Sequence, residues 1–341
     1  MSKTAVCQVI ASGKKIILAT HIRPDGDALG STFGLAHLLM MLGKEVLCYL
    51  EQPITGVYSF LTSNIPIETD FDRVLAFANF AEQSGDGLVA VALDCGDLGR
   101  LGDNGNALIR LSPFLVIDHH QGNKGFGDLH WIEPHRSSTG EMIYDLAEEL
   151  GVADTLSQEA AQCLYTAIVT DTGSFRYDST TSRTFAIAGR LIDQGVTPAT
   201  VCQRLFDNAT FGSLHLTQAV LASLQTYLDQ QVAVIFLTQK MLEETDTSYE
   251  DAEGLVDFPR SVKEVKVAVF LKEGEPGTEQ ISVSMRAKGD CDVAEVAAQF
   301  SGGGHRNAAG CRVLGKTMDE VCAMLIPALE QALLQAATEK K

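Results

Sequence analysis

Four short apolar runs, KKIILAT, EVLCYL, GLVAVALD and PFLVID, recur through the first half of the chain. Longer segments of helical character separate them: LGSTFGLAHLLMMLG, FDRVLAFANFAEQ, STGEMIYDLAEELG and SQEAAQCLYTAIVTD. Strand-like runs that alternate with helices predict parallel βαβ packing, an α/β fold with a mainly parallel sheet flanked by helices. This alternation constrains the function as well. In open α/β sheets ligands bind in the crevice outside the carboxyl ends of the strands.

The pattern changes in the second half. Residues 182–230 read as mainly helical, with a break at VTPAT. QVAVIFLT, VKVAVFLK and QISVSMRAK then read as strands joined by turn-rich links such as EGEPGTEQ. A short helix, a glycine cluster and a terminal helix follow. The expected organisation is a mainly parallel α/β domain over 1–190, a helical linker over 191–230 and a smaller α/β domain over 231–341.

Ionisable groups gather where the apolar runs end. KKIILAT leads into His21, Asp25 and Asp27; LVAVAL into Asp94; FLVI into Asp118, His119 and His120; AIVT into Asp171. Each aspartate taken singly suits a turn or a helix cap, and Asp27 in particular suits an N-cap. Brought to one crevice, however, Asp25, Asp27, Asp94 and Asp171 cannot all stay ionised without cations. Two divalent ions, with His21 and His119 as nitrogen ligands, would neutralise them. One carboxylate can bridge ions roughly 3.5–4 Å apart. Mixed imidazole and carboxylate ligation suits Mn²⁺ first, with Mg²⁺, Co²⁺ and Zn²⁺ open.

Composition narrows the partners. The formal net charge is −18 with no basic run, which argues against duplex nucleic acid, since phosphate neutralisation dominates duplex affinity. Eight scattered cysteines form no C-x-x-C pair and are expected to be reduced thiols. No apolar run approaches the roughly 20 residues of a membrane span, and MSKTAVCQVIASGKK makes a poor signal peptide. The expectation is a cytoplasmic protein without a membrane partner, a homodimer being left open.

The motifs THIRPDGDALGS, LDCGD, DHH and TDTGSF, in that order, resemble the DHH phosphoesterase family, and SGGGHRNAAG resembles its DHH-associated domain. The resemblance covers nearly the whole chain. It implies that His21 and Asp25 hold one metal, that Asp27, His119 and Asp171 hold the other, and that Asp94 bridges them. It further implies attack on phosphorus by a metal-activated water. His120 would touch the substrate phosphate or assist the leaving group, unless its role is a structural hydrogen bond to a carboxylate.

In the second domain, Gly302 to Gly304 suit either a flexible turn or a nest of backbone N–H groups for an anion. His305, Arg306 and Arg286 supply neighbouring donors. The resemblance implies that the first domain is catalytic, that the active site lies in the cleft between the two domains, and that Arg286, Gly303, Gly304, His305 and Arg306 bind the far end of the substrate. Ser138-x-x-Glu141 reads as a capping box, and His37, His130, His135 and His215 match no motif. Among two-domain relatives, the chain looks most like nanoRNase-type enzymes, which act on short single-stranded RNA and on adenosine 3′,5′-bisphosphate. A soluble phosphodiesterase of linear or cyclic dinucleotides is the enzymatic alternative, and a nucleotide-binding sensor on the same scaffold the non-enzymatic one.

Overall fold

The computed structural model describes residues 3–54 and 56–338, in two compact units that divide between Asn208 and Ala209. The first contains α1 (Lys3–Ser12), β1 (Lys15–Ala19), α2 (Gly26–Met41), β2 (Glu45–Tyr49) and β3 (Ile67–Glu68). It continues through α3 (Phe71–Ser84), β4 (Leu88–Leu93), α4 (Gly105–Leu108), β5 (Phe114–Asp118) and β6 (Leu129–Ile132). Helices α5 (Thr139–Glu149), α6 (Gln158–Asp171), α7 (Ser182–Asp193) and α8 (Pro198–Phe206) complete it. The expected linker stretch, 191–230, thus contributes α8 to this unit and the next helix to the second.

The six strands are all parallel, in the order β3-β2-β1-β4-β5-β6. Strands β1 and β5 are buried at every position, which explains their unbroken apolar runs: a parallel sheet is covered on both faces. One face carries the larger core, built with α2, α5 and α6; the other packs against α3. The order reverses between β1 and β4, so the switch-point crevice opens beside His21 and Asp94. The two-residue β3 and the short β6 were not legible as strands, because an edge strand needs little apolar sequence.

Helices α2 and α6 lie unusually close. A Cβ on Gly30 would stand 2.5 Å from the Cys163 carbonyl oxygen, and one on Gly34 would stand 2.4 Å from Leu164. Gly26 meets Thr170 in the same way at 2.4 Å. Glycines at four-residue spacing line one helix face, so the two backbones approach without intervening side chains. The N-terminus of α2 is thereby set against the C-terminus of α6, and each end carries an aspartate of interest.

The second unit holds α9 (Phe211–Ala222), β7 (Gln225–Tyr227), β8 (Val232–Leu237), α10 (Gln239–Thr245), α11 (Asp257–Ser261) and β9 (Val267–Glu273). It ends with β10 (Gln280–Ala287), α12 (Val293–Ala298), β11 (Gly303–His305), β12 (Ala308–Leu314) and α13 (Met318–Thr338). Its six strands run β11-β12-β10-β9-β8-β7; only β8 and β9 pair in parallel, so the sheet is mixed. On β10 inward and outward residues alternate, as expected for a sheet with one covered face. Helix α13, at 21 residues, is long and apolar enough to cross a membrane by length and composition, contrary to the expectation that no apolar run approaches a span. Here Val321, Cys322, Leu325 and Leu329 turn one of its faces into the core of this unit.

Candidate metal centre

Each ligand candidate of the first unit is delivered by an element end. Past β1, the Thr20 hydroxyl donates to the Leu93 carbonyl (2.9 Å), tying the exit of β1 to that of β4. His21 follows, buried at 4 % exposure. Its Nδ1–H donates to the Ile22 carbonyl at 2.9 Å, which leaves the lone pair on Nε2. That atom is buried without a hydrogen-bond partner and lies 3.7 Å from Asp94 Oδ2.

Asp25, not Asp27, is the N-cap of α2. Its Oδ1 accepts the N–H groups of Asp27 (3.1 Å) and Ala28 (3.0 Å). Asp27 sits in the first turn instead, because the cap falls just before Gly26. This frees its side chain to turn inward, where it is 1 % exposed. Two N–H groups at the start of α5 donate to it, Thr139 to Oδ2 at 2.7 Å and Gly140 to Oδ1 at 2.9 Å. A helix N-terminus is a natural seat for a carboxylate. Even so, burial, then the charges of Asp94, Asp171 and Asp25, hold the Asp27 carboxyl well above the usual range.

Asp94 leaves β4 with φ of 54°, in the left-handed region that aspartate tolerates better than most residues. Its two oxygens face different ways. Oδ2 looks toward His21, whereas Oδ1 lies 3.6 Å from His119 Nε2 and accepts the Thr139 hydroxyl at 3.0 Å. His119 is aimed by its other nitrogen, whose N–H donates to the Arg136 carbonyl at 3.2 Å. Its Nε2 stands 3.3 Å from Asp171 and 3.5 Å from Asp27. Asp171 comes from the last residue of α6 rather than from a strand end. Burial, opposed by His119 and reinforced by Asp94 and Asp25, raises its carboxyl to about 6.

His120 differs from its neighbour in its hydrogen-bond partner. Its Nδ1–H donates to Asp118 Oδ1 at 2.7 Å, and the Asn123 amide donates to the other Asp118 oxygen at 2.6 Å. The hydrogen bond to Asp118, against the opposing effect of burial and with help from Asp94, lifts the imidazolium to about 9. Asp118 itself is fully buried; burial pushes its carboxyl up, but the bond from His120 overrides this and leaves it below the ordinary value.

These positions form overlapping donor sets. His21, Asp25 and Asp94 have one ligand atom each within 4.8 Å of one another, and so do Asp27, His119 and Asp171. Asp94, His119 and His120 form a third set on the same criterion. The donors fit divalent cations: the buried His21 Nε2 has no hydrogen-bond partner and faces Asp94, while burial and mutual repulsion hold the carboxyls of Asp27 and Asp171 above their ordinary values.

The corner that supports this cluster was not legible as part of the site. Ser138 caps α5, accepting Glu141 N–H at 3.0 Å, but Glu141 does not return the bond as a capping box would. Its carboxylate instead accepts from Ser137 (2.6 Å), Thr184 (2.9 Å) and Arg136 (3.2 Å). Arg136 also meets Glu133 and Asp145. The signal was present in the polar run R-S-S-T-G-E, which holds more donors and acceptors than one cap requires.

In the second unit the glycine cluster is a strand, not a loop. Gly303, Gly304 and His305 of β11 pair with Gly310, Ala309 and Ala308 of β12. A Cβ on Gly304 would stand 2.5 Å from the Ala308 carbonyl oxygen, so close strand approach explains this glycine. Arg286 of β10 also pairs with Ala308, placing it in the same row of the sheet as His305, whose side chain lies outside the described structure. Arg286 donates to the Met285 carbonyl at 3.1 Å, and exposed Arg306 to the Asp290 carbonyl at 2.8 Å.

Known proteins agree with this architecture. Residues 15–168 match the model of the DHH family, N-terminal domain, and residues 229–331 match the DHHA1 domain. The chain is 32 % identical to the bifunctional oligoribonuclease and PAP phosphatase NrnA of Thermus thermophilus, over 94 % of this chain and 91 % of that protein. Its identity to the Bacillus subtilis protein of the same name is 28 %, over 91 % and 93 %. The crystal structure of an exopolyphosphatase-related protein from Bacteroides fragilis superposes with a TM-score of 0.87 at 29 % identity, covering 96 % of this chain and 95 % of that one. With a parallel sheet whose strand ends carry this histidine and aspartate cluster, and with relatives matched along nearly their whole length, the chain belongs to the DHH family of phosphoesterases.

Proposed function

We propose that this phosphoesterase hydrolyses short oligoribonucleotides to mononucleotides and removes a phosphate from adenosine 3′,5′-bisphosphate, using two divalent ions, Mn²⁺ foremost. The observation that carries the two-ion reading is the split orientation of Asp94, with Oδ2 toward His21 and Oδ1 toward His119. His21 and Asp25 hold one ion, Asp27, His119 and Asp171 the other, and Asp94 serves both. The names of the relatives support the substrate class.

Divalent ions at such a site polarise a phosphoryl oxygen and lower the pKa of a bound water. The chain's own groups do the rest. His21 presents an unprotonated nitrogen because its Nδ1–H is committed to a backbone carbonyl. His120, kept cationic by Asp118, holds a proton on Nε2 for a phosphate oxygen or the departing alkoxide. Arg286, the Gly303–Gly304 backbone, His305 and Arg306 bind the far end of the substrate. The net charge of −18 disfavours a long polyanion and suits a ligand gripped at its end.

A product time course on end-labelled di- to pentanucleotides tests this, with adenosine 3′,5′-bisphosphate and a cyclic dinucleotide run in parallel. Stepwise release of mononucleotides and phosphate is expected, lost on chelation and restored best by Mn²⁺. Turnover of the cyclic dinucleotide alone, or undiminished activity after exhaustive chelation, would overturn it.

A further inference from the structure

Thr139 touches two of the ligand carboxylates at once. Its N–H donates to Asp27 Oδ2 at 2.7 Å and its hydroxyl lies 3.0 Å from Asp94 Oδ1. The residue is fully buried, and a carboxylate can only accept, so the hydroxyl proton must point at Asp94. Among the described residues this is the only hydrogen bond to the Asp94 carboxylate. It falls on one oxygen, the one that faces His119 at 3.6 Å, and not on the oxygen that faces His21.

The corner carrying Thr139 has little freedom. Ser138 caps the helix it opens, Glu141 is tied to Ser137, Thr184 and Arg136, and the Arg136 carbonyl receives the N–H of His119. One turn therefore orients three ligand candidates, Asp27, Asp94 and His119.

We propose that Thr139 is a positioning residue that makes the Asp94 bridge asymmetric: its hydroxyl occupies one lone pair of Oδ1 and directs the other to the ion held by Asp27, His119 and Asp171. Without it the Asp94 carboxylate can rotate about its own axis, and that ion loses an aligned ligand. The ion at His21 and Asp25 keeps its contact with Oδ2. This rests on Asp94 serving both ions.

Thr139→Val removes the hydroxyl at nearly constant volume, Thr139→Ser keeps it, and Thr139→Ala checks the result should valine disturb the packing. Mn²⁺ titration calorimetry and electron paramagnetic resonance on the full chain provide readouts apart from activity. The unsubstituted protein should bind two Mn²⁺ with a spin-coupled spectrum. T139V and T139A should retain one tight Mn²⁺ with an uncoupled six-line signal and bind the second about 10- to 100-fold more weakly, as for other partners that orient ligands. T139S should behave like the unsubstituted protein. Two unchanged affinities and a coupled spectrum in T139V would overturn the role of Thr139, as would an equal loss in T139S. Fewer than two Mn²⁺ in the unsubstituted protein would instead overturn the two-ion reading beneath it.

Discussion

At the scale of single residues, the cluster is ordered by what each side chain does with its second polar atom. His21 and His119 spend one nitrogen on a backbone carbonyl and present the other inward. His120 spends its nearer nitrogen on a carboxylate, which keeps it charged. Asp94→Ala should therefore abolish turnover and collapse Mn²⁺ stoichiometry together; near-normal rates with Mn²⁺ would contradict its bridging role. The His120 pair carries a pH signature. A group whose folded pKa is raised stabilises the fold fully below its unfolded value, ordinarily about 6.5, and loses that contribution as pH rises through the folded value of about 9. In the proposed mechanism the same proton serves the phosphate, so kcat/KM should fall on an alkaline limb as His120 deprotonates. Asp118→Asn should draw that limb toward neutrality; a pH profile of the variant with its limb unmoved would refute the assignment. The ionisable residues were legible in sequence because three of the four runs bearing them are buried strands with no other reason to end in charge. Thr139 and Arg136 were not, since a hydroxyl or a carbonyl that orients a ligand leaves no mark of its own in one sequence.

At the scale of elements, the alternation of apolar runs with helices was enough to predict the parallel sheet, whereas the reversal of strand order that creates the crevice was not legible, because alternation alone leaves the order of the strands open. The contact between α2 and α6 was harder to see. Glycine at 26, 30 and 34 inside a helical segment lowers helix propensity, and only the partner helix explains the expense. Gly30→Ala should gain close to 1 kcal/mol of helix propensity but lose about 3 kcal/mol to overpacking against backbone, a net destabilisation of roughly 2 kcal/mol. Gly189→Ala in α7 meets nothing within 4 Å and should be neutral or slightly stabilising. Denaturant titration of the two variants separates these outcomes, and equal stabilities would discredit the close packing. The second sheet shows the opposite difficulty: three consecutive glycines carry the pattern of a turn, yet β12 recruits the last two, with His305, as an edge strand because its own small residues permit the approach.

At the scale of the whole molecule, the proposed function would put chemistry and grip in different units of one chain. His305→Ala should accordingly raise KM for a dinucleotide by 10-fold or more while leaving Mn²⁺ stoichiometry at two; a loss of metal with KM unchanged would reverse the assignment (about 1.4 kcal/mol per tenfold change). The strongly acidic composition fits such a division, because attraction for phosphate is concentrated at a few points instead of spread over the surface. The bare glycine face between α2 and α6 then acquires a further meaning. Asp27 and Asp171 stand at the ends of two rods already in contact, so the gap between them works as a fixed gauge. A gap held in this way would not serve equally an ion that prefers oxygens at about 2.3–2.6 Å, as Ca²⁺ does, and one that prefers about 2.0–2.1 Å, as Mg²⁺ does. Discrimination by ionic radius would thus be a property of backbone spacing, written in residues that never touch the metal.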